Sequence, residues 1–483
     1  MKIRKAFSLL SSLVILISMM GILPVAANAT AAPFVAVGPK AVRAQAVTSP
    51  QSPLYTCQLG LDPEATCYDP FQIRHAYNVD TLLNAGYTGA GRTIVIVDSF
   101  QSPTLSSDLD SFDTDYGLPA RSTFFTQIAP DGLTAFDPTN GDMVGWSAEI
   151  SLDVEWSHAI APGAHVVLVL AKSDADADIL SATQYAVNHN LGDVISQSFG
   201  ENESCVDPSI LKAEHQMYVE ATLKHITIFA SSGDDGASQP TCDGSSYVQA
   251  ASSPASDPLV TAVGGTELHA ANYCLSELGC DPTSNPAAGT YQGEIAWNEP
   301  DFGATGGGFS VLYQEPFYQI GSILHAGKQR GVPDVAYNAA VLHGVLTYWG
   351  GSVYLFGGTS AGSPQWAAIT AIADQKAGHR LGFINAALYL YSLLPKIYSM
   401  NFHDVTSGNN SVVEVDSSNN NVPVQGFNAG PRWDATTGLG SPNAAQLVDF
   451  LTKFTFDNDA NQAMSGAGPL AGGHFGHGWL RPH

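Results

Sequence analysis

Short apolar runs rich in β-branched residues alternate with amphipathic stretches along most of this chain. The runs at 93–97, 166–170, 194–198, 226–230 and 259–263 have the length of strands buried on both faces. Between and after them, 146–160, 179–190, 208–224 and 443–454 carry apolar positions at helical spacing. Strand alternating with helix predicts an α/β fold, with a predominantly parallel central sheet and helices on both faces. No internal repeat interrupts the pattern.

The ends read differently. Lys2, Arg4 and Lys5, an apolar run over 9–26, and Ala27-Asn28-Ala29 before Thr30 make 1–29 a secretory signal peptide, with an uncleaved anchor as the other reading. No later stretch approaches the ~18 apolar residues of a membrane span, so no membrane association is expected after signal removal. Residues 30–54 lack helical or strand period and predict a linker; 55–456 predict one large domain, and 457–483 a flexible tail rich in Gly and His.

Charge narrows the function. The 483 residues carry 19 Lys and Arg against 44 Asp and Glu, a formal charge of −25. Phosphate binding runs on Lys and Arg, so nucleic acid and anionic lipid are excluded as general partners. An acid-rich chain suits work at low pH, where protonation relieves its self-repulsion; acidity serving solubility alone is the other reading. Six cysteines in a secreted chain predict disulfides. Pairing of sequence neighbours is expected: Cys57–Cys67, Cys205–Cys242 and Cys274–Cys280. Other connectivities stay open. No C-x-x-C pair suggests a zinc ribbon.

Four strings carry candidate chemistry. Gly357-Gly358-Thr359-Ser360-Ala361-Gly362-Ser363-Pro364 places a serine in a Gly turn before an apolar helix, where backbone N–H groups can hold an oxyanion. Glu149 and Asp153 lie one helical turn apart beside Trp146 and Leu152. Like charges so spaced disfavour an ordinary helix, whereas a carboxyl pair sharing a proton makes a general base. Glu155 is a weaker third candidate. Ser232-Gly233-Asp234-Asp235-Gly236 ends a predicted strand in a turn bearing an acid. Asp404-Val405 and Gly430-Pro431-Arg432-Trp433-Asp434 offer two carboxylates and backbone carbonyls, hard oxygens that suit Ca²⁺.

Together these strings resemble the sedolisins, serine-carboxyl peptidases with a subtilisin-like fold. The resemblance rests on Gly358-Thr359-Ser360 with Pro364, the Glu149/Asp153 pair and the Ser232–Gly236 turn. Ala161-Pro-Gly-Ala164, Val263-Gly-Gly-Thr266, Trp297-Asn298, Thr305-Gly-Gly-Gly-Phe-Ser310 and Val332-Pro-Asp-Val335 support it, over about 68–452. It implies Ser360 as acyl nucleophile, Glu149 as general base oriented by Asp153, and Asp234 with the Ser360 N–H at the oxyanion. It implies one Ca²⁺ held by Asp404, Val405, Gly430, Arg432 and Asp434, with Arg432 standing where the family has Gly. It implies that Ser198, Phe199 and Gly200 pair with extended substrate. A carboxylate base and a protonated Asp234 both call for acid. The expected enzyme is a secreted, monomeric, acid-acting endopeptidase on peptides or denatured proteins. The family carries a long propeptide, and only 30–54 separate the expected cleavage point from the expected domain.

Other readings remain: a tripeptidyl exopeptidase of the same family, and an inactive peptide-binding homologue. Gly358 to Gly362 also fits the G-x-S-x-G elbow of a secreted esterase or lipase, with Asp404 and His474 or His477 as partners. A subtilisin would use Asp98, at the end of the first strand, with a histidine. No His-Gly-Thr-His string follows, so Asp98 is a structural or secondary site residue. A dinucleotide site fails because Gly89-Ala-Gly91 precedes its strand.

Overall fold

The predicted strands assemble into one sheet in a computed structural model that describes residues 41–46, 54–281, 283–321 and 328–453. The signal and tail readings lie outside these residues. The strands used below are β1 (Ala41–Arg43), β2 (Thr66–Tyr68), β3 (Thr93–Ser99), β4 (Phe125–Ile128), β5 (His165–Ala171), β6 (Val194–Gln197), β7 (Thr227–Ser231), β8 (Thr261–Ala270), β9 (Tyr291–Ala296), β10 (Val335–Asn338), β11 (His343–Trp349) and β12 (Ser352–Phe356). The helices are α1 (Leu105–Tyr116), α2 (Gly141–Ile160), α3 (Asp176–Asn188), α4 (Pro208–Leu223), α5 (Gly362–Ala377) and α6 (Ala444–Leu451).

The central sheet has eight strands in the order β9-β8-β7-β6-β3-β5-β4, with β10 also on β8. Only the β8–β9 pair is antiparallel. Alternation within each strand splits the core in two. Ile94, Ile96, Val166 and Leu168 point to a layer formed by α1, α2, α5 and α6. Val95, Val97, Val167 and Val169 point to α3 and α4. This subtilisin-like α/β arrangement is the expected one.

A second sheet, β1-β12-β11-β2, was not legible in the pattern. Its β1 corrects the linker reading of 30–54: Ala41 pairs with Phe356 and Arg43 with Tyr354. Backbone hydrogen bonds on an edge need no hydrophobic period, so β1 leaves no signature in its side chains. Disulfides Cys57–Cys67, Cys205–Cys242 and Cys274–Cys280 are all present. Among the described residues no helix is long and apolar enough to cross a membrane.

Beneath the sheet, Arg330 forms a bidentate ion pair with Asp334 at 2.8 and 2.6 Å, both fully buried. Asp334 also accepts from Tyr389 and from the Ala262 N–H. The Val332-Pro-Asp-Val335 string therefore braces β8 against β10.

Candidate active site

Adjacent parallel strands β3, β6 and β7 end at one edge of the sheet, where open α/β folds build sites. Asp98 stands next to last in β3, Ser198-Phe199-Gly200 follows β6, and Ser232–Gly236 follows β7. From the helical layer, α2 brings Glu149 and Asp153 to the same place. The Asn140 side chain caps α2 by accepting from Asp142 and Met143 N–H. Residues 146–160 of α2 are all buried, the mark of a helix covered on every side. Its facing carboxylates therefore lose water altogether.

Glu149, Asp153 and Asp98 are all 0% exposed. None of their carboxylate oxygens has a fully formed hydrogen bond. Burial, then the charges of Asp153 and Asp98, raises the Glu149 pKa well above the ordinary range; the Ser360 hydroxyl beside it pulls the other way. Burial and Asp98 likewise raise Asp153, opposed by the Ser198 hydroxyl and by Glu149. Burial pushes Asp98 up to about 8. Such a cluster titrates as a unit: the first proton leaves most easily, and each later one must leave against an existing charge. Glu155 faces elsewhere, accepting from Tyr348 N–H at 2.9 Å.

Ser360 sits between β12 and α5. Gly358, at φ 102°, makes the turn, and a Cβ there would lie 2.5 Å from Asp234 Oδ2. Only glycine admits both the turn and the acid. Asp234 Oδ1 accepts from the Thr359 N–H and hydroxyl, each at 2.7 Å. The Thr305–Ser310 string backs this loop: Gly306 N–H donates to Gly233 O at 2.7 Å and Ser232 Oγ to Gly306 O at 2.8 Å. Ser363 Oγ meets Ser196 Oγ at 2.8 Å, joining α5 to β6.

A cavity of about 260 Å³ is lined by Ser360, Asp234, Ser198, Phe199, Gly200 and Glu201 among others. Glu201 was missed in the sequence, because a single acid after Gly200 carries no spacing signal. Burial, with a contribution from Asp176, pushes it up to about 8, and its Oε1 has no hydrogen bond.

The elbow reading does not fit. A nucleophile elbow follows a strand of the central parallel sheet, whereas β12 belongs to the second sheet. Asp404 instead joins the other predicted cation ligands, accepting from Tyr398 Oη and Arg432 N–H, both at 2.8 Å. His474 and His477 lie outside the described residues.

At the Asp404 loops, Asp434 accepts from the N–H groups of Gly430, Thr436 and Thr437. Burial still pushes it up to about 6. After burial, Asp404 and then Asp434 raise the Tyr398 pKa, so the two acids share one neighbourhood. No described backbone N–H outside helices and strands donates to the carbonyls of Val405, Gly430 or Arg432. Arg432 takes φ 68°, the left-handed conformation that favours glycine. Two carboxylates with three open carbonyls fit a hard cation.

No protein-family model matches the chain. Kumamolisin of Bacillus sp. (strain MN-32) is 33% identical over 395 residues, 80% of this chain. Sedolisin of Pseudomonas sp. (strain 101) is 30% identical over 399 residues, again 80%. The chain spans 64% and 61% of these relatives, a little under two thirds of their length. The solved structure of Pseudomonas sedolisin, a serine-carboxyl proteinase complexed with two molecules of pseudo-iodotyrostatin, superposes with a TM-score of 0.65 at 29% identity. It covers 81% of this chain and all of that one. Likeness in sequence and likeness in fold each extend over about four fifths of the molecule, and both point to the sedolisin family.

Proposed function

We propose that this chain is a secreted serine-carboxyl endopeptidase that works in acid on unfolded polypeptides. The observation that carries the reading is the Ser360 hydroxyl set against Glu149 inside a buried cluster of three carboxyl groups. Once the cluster has released one proton, Glu149 carries the charge and takes the Ser360 proton as Oγ attacks the scissile carbonyl. Protonated Asp234, held by Thr359, donates to the developing oxyanion. Glu149 then passes its proton to the leaving amine, the C–N bond breaks, and the acyl group stays on Ser360. Water repeats the sequence in reverse. Asp153 and Asp98 retain protons, which keeps the charge on Glu149. Ser198-Phe199-Gly200 lines the cavity and supplies backbone to an extended substrate.

Neutral Glu201 supports cleavage within chains: in acid it offers no charge to a free N-terminal ammonium. Asp235, which also lines the cavity, favours the second reading, release of tripeptides from an N-terminus. A digest of denatured protein from pH 2 to 8, beside a Ser360→Ala blank, separates them by product length. Internal peptides of many lengths are expected, with most product in acid. Successive tripeptides would replace the endopeptidase reading with the exopeptidase one. No cleavage by folded protein at any pH would leave a binding protein. The three disulfides support an oxidising, extracellular compartment.

One Ca²⁺ would be held by Asp404, Asp434 and the carbonyls of Val405, Gly430 and Arg432. Bound there, it neutralises the two acids and ties the 404 loop to the 430–434 loop. Millimolar Ca²⁺ should raise Tm by about 2–5 °C, and chelator should reverse this. Scanning calorimetry of Asp404→Asn should show no response; an unchanged response would place the ion elsewhere.

A further inference from the structure

Glu267 and His269 lie two apart on β8, so both side chains leave the same face of the sheet. His343 opens β11, across the gap between the two sheets. The ligand atoms of the three residues all lie within 4.8 Å of one another. Glu267 Oε1 is 3.3 Å from His269 Nε2 and 3.4 Å from His343 Nδ1. The imidazole rings meet edge to face with centroids 5.0 Å apart.

The two carboxylate–imidazole spacings are those of a coordination shell. Bonds of about 2.0–2.1 Å from a tetrahedral zinc ion put neighbouring ligand atoms about 3.3–3.4 Å apart. Ordinary ion pairing accounts for them less well. Neither imidazole makes a well-aligned hydrogen bond to Glu267, and His343 Nδ1 is buried with no hydrogen-bond partner. The frame is braced before any ligand arrives. Asn338 donates to His343 O at 2.7 Å and accepts from Leu268 N–H at 3.0 Å, fixing the strand bearing two ligands against the start of the strand bearing the third. Glu299, whose charge His343 feels, is occupied by the N–H groups of Val341 and Leu342. The His269 side chain is 43% exposed, which leaves an approach from solvent.

We propose that Glu267, His269 and His343 bind one divalent transition-metal ion, Zn²⁺ foremost, with water completing the shell. Two imidazoles and a carboxylate are the donor set this class prefers, while Ca²⁺ takes oxygen alone. The ion links β8 of the central sheet to β11, whose hairpin partner β12 leads into Ser360. Its role is to clamp, not to catalyse.

Calorimetric titration of metal-stripped full chain with ZnCl₂ at pH 7, in the Ser360→Ala background, tests the site. One high-affinity ion per chain is expected, with a rise in Tm of about 2–5 °C. His269→Ala, at a half-exposed position, should fold as judged by circular dichroism and lose at least about tenfold in affinity. Glu267→Gln should do the same. The tail histidines remain in every variant. Zinc binding that survives His269→Ala at full strength belongs to them and overturns the proposal. So does the absence of binding to the parent chain.

Discussion

Ser360→Ala should lower kcat on a denatured protein at acid pH by roughly 10⁴- to 10⁶-fold while leaving KM nearly unchanged, the scale set by loss of a serine nucleophile in a peptidase. Alanine removes the one atom that bonds to the substrate and nothing that holds it. Glu149→Gln should fall within about tenfold of the same loss, because an amide cannot take the hydroxyl proton. The double variant should be no worse than the worse single one, since nucleophile and base act in one step. Asp153→Asn, acting through Glu149, should lose less, about 10²-fold, with a shifted pH profile. Initial rates against pH, with circular dichroism as the check on folding, measure all four. Retention of more than about a hundredth of the activity by folded Ser360→Ala would remove this serine from the reaction. A silent Glu149→Gln would move the base to another carboxyl group of the cluster.

The sequence spoke clearly where chemistry and period coincide. Strands β3, β5 and β7 hold continuous apolar runs, because both faces are covered by helices. Ser360, Glu149, Asp153 and Asp234 stand in distinctive local strings, and the fold brings all four to one edge of the sheet. The apolar run of strand β8 stops at 263, yet the strand continues to Ala270. Gly264 and Gly265 interrupt its apolar run because a Cβ there would meet Pro333, Ala339 or Trp297. Helix α1 carries buried Asp108, which accepts from Gly350 and Gly351 N–H and so breaks the apolar stripe. The metal cluster was illegible for a different reason: Glu267 and His343 are far apart in sequence and meet only through the pairing of strands. Glu201 and the place of Asp98 in the carboxyl cluster are tertiary facts of the same kind.

The same buried acids make an unusual stability profile the second large expectation. Glu149, Asp153 and Glu155 lie well above their ordinary pKa, chiefly through burial. Asp98, Glu201 and Glu214 are each pushed up to about 8, and Asp113 to about 7, again chiefly through burial. Between about pH 4 and 8 the folded chain therefore holds protons that the unfolded chain has released, and stability must fall as pH rises through that window. The histidines oppose this. Burial depresses His158 to about 3 and lowers His165, His343 and His403, so their stabilising contribution is lost as pH falls below about 6.5. The carboxyl groups outnumber them, which puts the maximum of Tm near pH 4–5 and a fall of about 10 °C by pH 8. Calorimetry in the Ser360→Ala background, where self-digestion cannot intrude, gives the curve. Asp98→Asn adds a test of sign. Asparagine never ionises, so the variant should melt above the parent chain at pH 8 and at or below it at pH 4. A parent Tm that climbs from pH 4 to 8 would mean that the cluster ionises without cost, and a proton-sharing base at Ser360 would lose its physical basis.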